Sequence, residues 1–267
     1  MRHSRTTAYA ATVAASAALA LTGALATSAS AQAEATGYVA LGDSYSSGVG
    51  SGSYDGTDCK RSSLAYPQLY KAAHSPSSFD FKACSGAITT DVLNNQVDAL
   101  NAGTGLVSIT IGGNDGGFTD VMLTCVLQSE KTCLDAISNA RSFVENTLPG
   151  RLDQVYSTIR SKAPNAHVAV LGYPRFYKLG GTCSAGLSET KRAAINDASN
   201  VLNGVIAKRA ADHGFSYGDI PAAFTGHEIC SSDSWMNSLN WGAFGDSYHP
   251  KATGQKGGYL PVLEAND

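Results

Sequence analysis

Short apolar runs stopped by glycine alternate along this chain with longer stretches of helical spacing. Residues 37–42 (Gly-Tyr-Val-Ala-Leu-Gly) make the first run and predict a buried strand that ends at Gly-Asp. Residues 106–111 (Leu-Val-Ser-Ile-Thr-Ile) are rich in β-branched side chains and end at Gly112-Gly113, the clearest strand signal in the sequence. Residues 79–83, 167–171 and 215–220 predict three more strands. Helical spacing falls between them: 63–73, with Pro67 inside; 88–100, carried by Val92, Leu93, Val97 and Leu100; 118–127; and 133–161, broken near Pro149. A further helix spans 188–213, with Ser188 as N-cap and Gly214 just past its end. Pro250 opens a last helix. Strands alternating with helices predict an α/β fold with a parallel sheet covered on both faces.

The first 33 residues stand apart from this pattern. Met1-Arg2-His3-Ser4-Arg5 is basic, an Ala/Leu/Val-rich stretch follows, and Ala29-Ser30-Ala31 and Ala31-Gln32-Ala33 both read as small-residue cleavage sites. This is the pattern of a secretory signal peptide, cleaved near 31 or 33, and it predicts a secreted, extracellular protein. An uncleaved anchor is the alternative, but the stretch is dominated by alanine and lacks a stop-transfer flank. Residues 34–267 are then expected to form a single domain, long enough for one well-built core.

Removing Arg2 and Arg5 takes the formal charge from −3 to −5, and no Lys/Arg-rich run remains. Nucleic acid and strongly anionic surfaces are therefore not expected as partners. No stable membrane span is expected, and the protein is expected to be a monomer. The six cysteines, Cys59, Cys84, Cys125, Cys133, Cys183 and Cys230, all follow the signal segment. An even count behind a signal peptide implies disulfides, for which six cysteines allow fifteen connectivities. Pairing neighbours gives Cys59–Cys84, Cys125–Cys133 and Cys183–Cys230. No C-x-x-C pair or Cys/His metal spacing occurs, so neither a metal nor another cofactor is expected.

Three short segments carry chemistry. Ser44, in Gly42-Asp43-Ser44-Tyr45-Ser46, sits where the first strand ends, and Gly42 permits a sharp turn there. A serine hydroxyl becomes a useful nucleophile when a base takes its proton and dipoles stabilise the anion formed. The segment lacks the G-x-S-x-G elbow, because Ser46 replaces the last glycine, which disfavours the α/β-hydrolase fold. Asn114, in Gly112-Gly113-Asn114-Asp115, offers amide donors at the end of the clearest strand; capping of the next helix is the plainer alternative. His249, before Pro250, is the candidate base, with His227 its rival, and Asp246 lies three residues earlier as the candidate acid of a triad. Ligands of parallel sheets sit beyond the carboxyl ends of the strands, so Ser44 and Asn114 are expected on one rim.

In these motifs the chain resembles the GDSL family of SGNH hydrolases, and most closely its secreted actinobacterial (Streptomyces-type) lipase/esterase/phospholipase A1 branch. The four naming residues fall on Ser44, Gly86 (in Ala83-Cys84-Ser85-Gly86), Asn114 and His249. The resemblance implies a flavodoxin-like α/β/α sandwich and an oxyanion hole built from the Ser44 and Gly86 N–H groups and the Asn114 side chain. It also implies an alternative to the triad, in which the Ser247 main-chain carbonyl holds the His249 ring. Tyr45 stands where the usual motif has leucine and reads as a change of packing.

The expected activity is hydrolysis of lipid esters, of lipase or phospholipase A1 type, through an acyl-enzyme on Ser44. A short-chain or carbohydrate acetylesterase is the alternative, and a non-catalytic surface- or carbohydrate-binding protein the rival from outside enzymes. Phe118, Tyr173, Phe176 and Tyr177, with Trp235, Trp241 and Phe244, are candidate walls for an acyl chain.

Overall fold

The run at 37–42 forms β1 (Gly37–Gly42), and every residue of it is buried. In the computed structural model the described residues are 36–180, 183 and 186–267, with Met1 and His3; the expected signal segment and its cleavage sites lie outside them. β2 (Phe79–Phe81), β3 (Thr104–Thr110), β4 (His167–Leu171) and β5 (Ser216–Gly218) complete one sheet in the order β2-β1-β3-β4-β5. All four pairings are parallel, with Ala40 beside Phe81 and Ser108, and Val107 beside Val168. The order reverses between β1 and β3, and such a switch point opens a crevice at the carboxyl ends of the strands.

The connecting helices are α1 (Ser44–Ser47), α2 (Tyr66–His74), α3 (Thr89–Asn95), α4 (Phe118–Leu127), α5 (Glu130–Asn146), α6 (Leu148–Lys162), α7 (Glu189–Asp212) and α8 (Ile220–Ala223). α9 (Ala252–Gly254), a π-helical turn (Gln255–Tyr259) and α10 (Leu260–Glu264) end the chain. α2 packs with this last group, while α3, α5, α6 and α7 pack among themselves. The sheet is thus flanked by helices, as an α/β/α sandwich requires. Residues 35–267 form one compact unit.

Several boundaries differ from the sequence expectation, each for a local reason. Pro67 falls in the first turn of α2, where a missing N–H costs nothing, so the helix starts at Tyr66 rather than three residues earlier. The break near Pro149 lies at Thr147, with Pro149 again in a first turn, and Ser129 caps α5 by accepting from Thr132 N. α3 ends at Asn95, and a 3-10 turn, Val97–Ala99, follows. Between them the buried Gln96 donates to Gly42 O at 2.9 Å and accepts from Gly42 N at 2.7 Å, satisfying both backbone groups at the end of β1.

Disulfides link Cys59 to Cys84, Cys125 to Cys133 and Cys183 to Cys230. Among the described residues, no helix is long and apolar enough to cross a membrane, and no group of His, Cys, Asp and Glu could hold a metal ion.

Candidate active site

Ser44 opens a one-turn helix directly after β1, and the turn that presents it depends on Gly42. Gly42 has φ +121°, and a Cβ there would lie 2.4 Å from Thr110 O. Asp43 caps the short helix, accepting from Tyr45 N at 3.0 Å. Its carboxylate also accepts from the Thr110 hydroxyl at 2.7 Å and the Tyr173 hydroxyl at 2.5 Å. Burial still raises Asp43 to about 6, because the three hydrogen bonds only partly replace lost water. Ser46 Oγ lies 2.8 Å from both Thr110 Oγ1 and Tyr66 Oη, which pins the other side of the turn.

His249 Nε2 lies 2.8 Å from Ser44 Oγ, within reach for proton transfer. The other ring nitrogen, Nδ1, lies 3.0 Å from the Ser247 carbonyl, which fixes the tautomer with its proton on Nδ1 and leaves Nε2 free to accept. Burial holds His249 down at about 4, against an ordinary 6.5, while the Ser247 carbonyl and the Asp246 charge act in the opposite direction. The imidazole is therefore neutral at neutral pH, the form a general base needs.

Asp246, the candidate acid of a triad, makes a different contact here, and the Ser247 carbonyl takes the place beside Nδ1. The Asp246 carboxylate accepts instead from the Tyr54 hydroxyl at 2.9 Å, and Tyr54 Oη in turn accepts from Gly50 N at 2.8 Å. Tyr248 has φ +65°, and this tight turn brings the carbonyl of residue 247, rather than the side chain of 246, under the ring. The arrangement is a Ser–His pair with a main-chain support.

Asn114 follows β3 and faces the same crevice as Ser44. Its amide donates to Ala87 O at 3.0 Å, which orients the group; among the described residues the second N–H of Nδ2 has no partner. Neither Asn114 nor Asp115 caps the next helix, α4, whose N-cap is Gly117 with no side-chain bond. Asp115, whose side chain has no solvent exposure, accepts from Thr89 N and Oγ1 at the start of α3 and from Arg151 at 3.1 Å. Gly86 lies in a turn with φ +79°, closed by a bond from Ala87 N to Cys84 O at 3.1 Å. That turn is tied to the nucleophile through Cys84 N, which donates to Gly42 O at 3.0 Å.

Beside Ser44 and Asn114 opens a cleft whose walls come largely from α4, α5 and α7. Phe118, Tyr173 and Phe176 line it as expected, joined by Met122, Ile137 and Leu202. The other aromatic candidates lie outside it: Tyr177 packs near Tyr248, Trp235 stacks on His227 and Trp241 on Phe244. The rival base is thereby placed elsewhere, with His227 Nδ1 2.8 Å from Asp233 O.

The sequence reading missed the polar groups that shape this site. Gln96 was detectable, since it lies four residues after the buried Val92, in line with that face at the C-cap of α3. Asn196, Ser199 and Asn203, buried on α7, clasp the segment after β4. Asn203 accepts from Tyr173 N and donates to Tyr173 O, both at 2.8 Å, and Asn196 accepts from Phe176 N and Tyr177 N. Ser199 donates to Pro174 O at 3.0 Å. Tyr45, read as packing, also donates a hydrogen bond to Tyr248 O at 2.7 Å.

A buried serine paired with a half-buried histidine beside an apolar cleft, at the switch point of a five-stranded parallel sheet, defines the class as an α/β/α serine hydrolase. The chain belongs to the GDSL-like lipase/acylhydrolase family, whose profile matches residues 40–256. It is 62% identical to Lipase 1 of Streptomyces coelicolor over 98% of both chains. The structure of phospholipase A1 from Streptomyces albidoflavus NA297 superposes with a TM-score of 0.86 at 67% identity, covering 87% of this chain and all of that one. The extracellular lipase of Streptomyces rimosus superposes with a TM-score of 0.85 at 59% identity, with the same coverage.

Proposed function

We propose that this protein is a secreted lipid ester hydrolase, of lipase or phospholipase A1 type, that works through an acyl-enzyme on Ser44. His249 Nε2 takes the Ser44 proton as Oγ attacks the ester carbonyl, and the Ser44 and Gly86 N–H groups with the Asn114 amide stabilise the oxyanion. The same imidazolium protonates the departing alcohol. The neutral imidazole left behind takes a proton from water as it attacks the acyl-enzyme, then returns it to Ser44 Oγ, releasing the fatty acid. In this reading Ser247 orients the base through its carbonyl, and Asp246 acts only through its charge and the Tyr54 contact.

The observation that carries the lipid reading is the cleft opening on Ser44, whose walls are mostly apolar side chains, among them Phe118, Val121, Met122, Ile137 and Phe176, and offer few polar partners to anything but a hydrocarbon. The named activities of the Streptomyces relatives support it. Secretion is proposed from the signal-like residues 1–33, from the three disulfides and from the extracellular relative.

The test is a p-nitrophenyl ester series, acetyl to palmitoyl, followed by triacylglycerol and phosphatidylcholine. Medium or long chains are expected to give the highest kcat/KM. A sharp preference for acetyl would move the assignment to an acetylesterase, and no hydrolysis at any length would restore the non-catalytic reading.

A further inference from the structure

We infer that Tyr45 is a positioning residue for His249: its hydroxyl holds the 246–249 turn in the conformation that aims the imidazole at Ser44. The inference rests on the Ser44–His249 assignment and adds to it. Tyr45 is the residue after the nucleophile, and 97% of its surface is buried. Its hydroxyl donates to the Tyr248 carbonyl at 2.7 Å, so a single side chain joins the helix carrying Ser44 to the loop carrying His249. The rings of Tyr45 and His249 lie 5.1 Å apart, and Tyr173 packs edge-on against Tyr45 at 5.0 Å, which fixes where the phenol can point.

The turn needs such a restraint. Tyr248 has φ +65°, a left-handed conformation that side chains other than glycine rarely adopt and that persists only where surroundings enforce it. On one side the strand-like contacts of Asn237 supply part of that force. Tyr248 N donates to Asn237 O and Asn237 N donates to His249 O, both at 2.9 Å. On the other side the Tyr248 carbonyl is held by the Tyr45 hydroxyl. This carbonyl lies between the two groups that matter, one peptide after the Ser247 carbonyl that holds Nδ1 and one before His249 itself.

Burial and the nearby Asp43 charge both raise the Tyr45 phenol, so it remains a donor across the working pH range. The leucine of the usual motif could fill the space but could make no such bond.

The experiment uses the full secreted protein with Tyr45→Phe and Tyr45→Leu, assayed on p-nitrophenyl butyrate and by fluorophosphonate labelling of Ser44. Tyr45→Phe should lower kcat and the labelling rate by roughly 10–100-fold, the scale of a small misplacement of reacting groups, with KM within about twofold. The acidic limb of the kcat profile should also move up toward the ordinary histidine range, because a loosened turn admits water to the ring. Tyr45→Leu should show the same pattern. Unchanged kcat, labelling and pH limb in either folded variant would overturn the inference, as would a loss that only follows the unfolded fraction and vanishes on cooling. His249→Ala separates the two levels. An inactive His249→Ala beside a fully active Tyr45→Phe removes only the role of Tyr45, whereas an active His249→Ala removes the pairing beneath it.

Discussion

At the scale of single residues, the site is set by which group reaches which. Ser44 Oγ and His249 Nε2 are 2.8 Å apart, so Ser44→Ala should abolish acyl-enzyme formation, seen as loss of the p-nitrophenol burst. Asn114→Ala should lower kcat by roughly 10²–10³, the usual scale for one oxyanion donor, in steady-state assays. Asp246→Asn should cost less than about tenfold, far below the loss of about 10⁴ recorded for a true triad acid, because the Ser247 carbonyl holds Nδ1. The depressed His249 gives a pH expectation as well. Since kcat/KM needs neutral imidazole, its acidic limb should fall at about 4 rather than near 6.5, checked by a pH–rate profile on a neutral ester.

At the scale of elements, the cleft is a product of three helices and the ties between them. Cys125 ends the buried face of α4, Cys133 begins that of α5, and their disulfide joins the two. From α7 the buried Lys191 Nζ donates to Cys125 O and Gln128 O, both at 2.7 Å, satisfying carbonyls at the end of α4. A loop this short gives a disulfide contribution of about 2–3 kcal/mol in the chain-entropy model. The Cys125→Ala/Cys133→Ala variant should therefore melt about 5–10 °C lower by differential scanning calorimetry. Lys191→Met leaves both carbonyls unpaired and loosens the wall formed by Met122 and Phe118. Its expected signature is a fall in the ratio of long-chain to short-chain kcat/KM, with acetyl ester hydrolysis changed little.

At the scale of the whole molecule, two titratable groups at the active site pull stability in opposite directions with pH. His249 is depressed, so its contribution is fully present above 6.5 and is lost as pH falls through about 4. Asp43 is raised, so its contribution is fully present below 3.8 and is lost as pH rises through about 6. Between about 4 and 6 the two slopes oppose each other. Asp43→Asn removes one of them, so the melting temperature of that variant should rise more steeply with pH across this window than that of the parent. Equal slopes in the two proteins would show that Asp43 ionises in the folded state as it does in the unfolded one.

The alternating runs of the sequence determined the parallel α/β architecture, because a buried strand must be apolar on both faces and a glycine must end it where the chain turns sharply. Local chemistry also marked Ser44, Asn114 and His249, since few residue types can serve as nucleophile, amide donor and base at strand ends. The support of His249 was decided only in three dimensions: the left-handed turn at Tyr248 swings the Ser247 carbonyl under the ring and leaves Asp246 to Tyr54. The same holds for the inward polar stripe of α7. Nothing in the hydrophobic pattern marks Asn196, Ser199 and Asn203 as buried; the chain after β4 lies against them and needs its backbone groups satisfied. A hydrogen bond across more than a hundred residues leaves no periodicity to read, so tertiary structure alone could decide that Tyr45 reaches Tyr248.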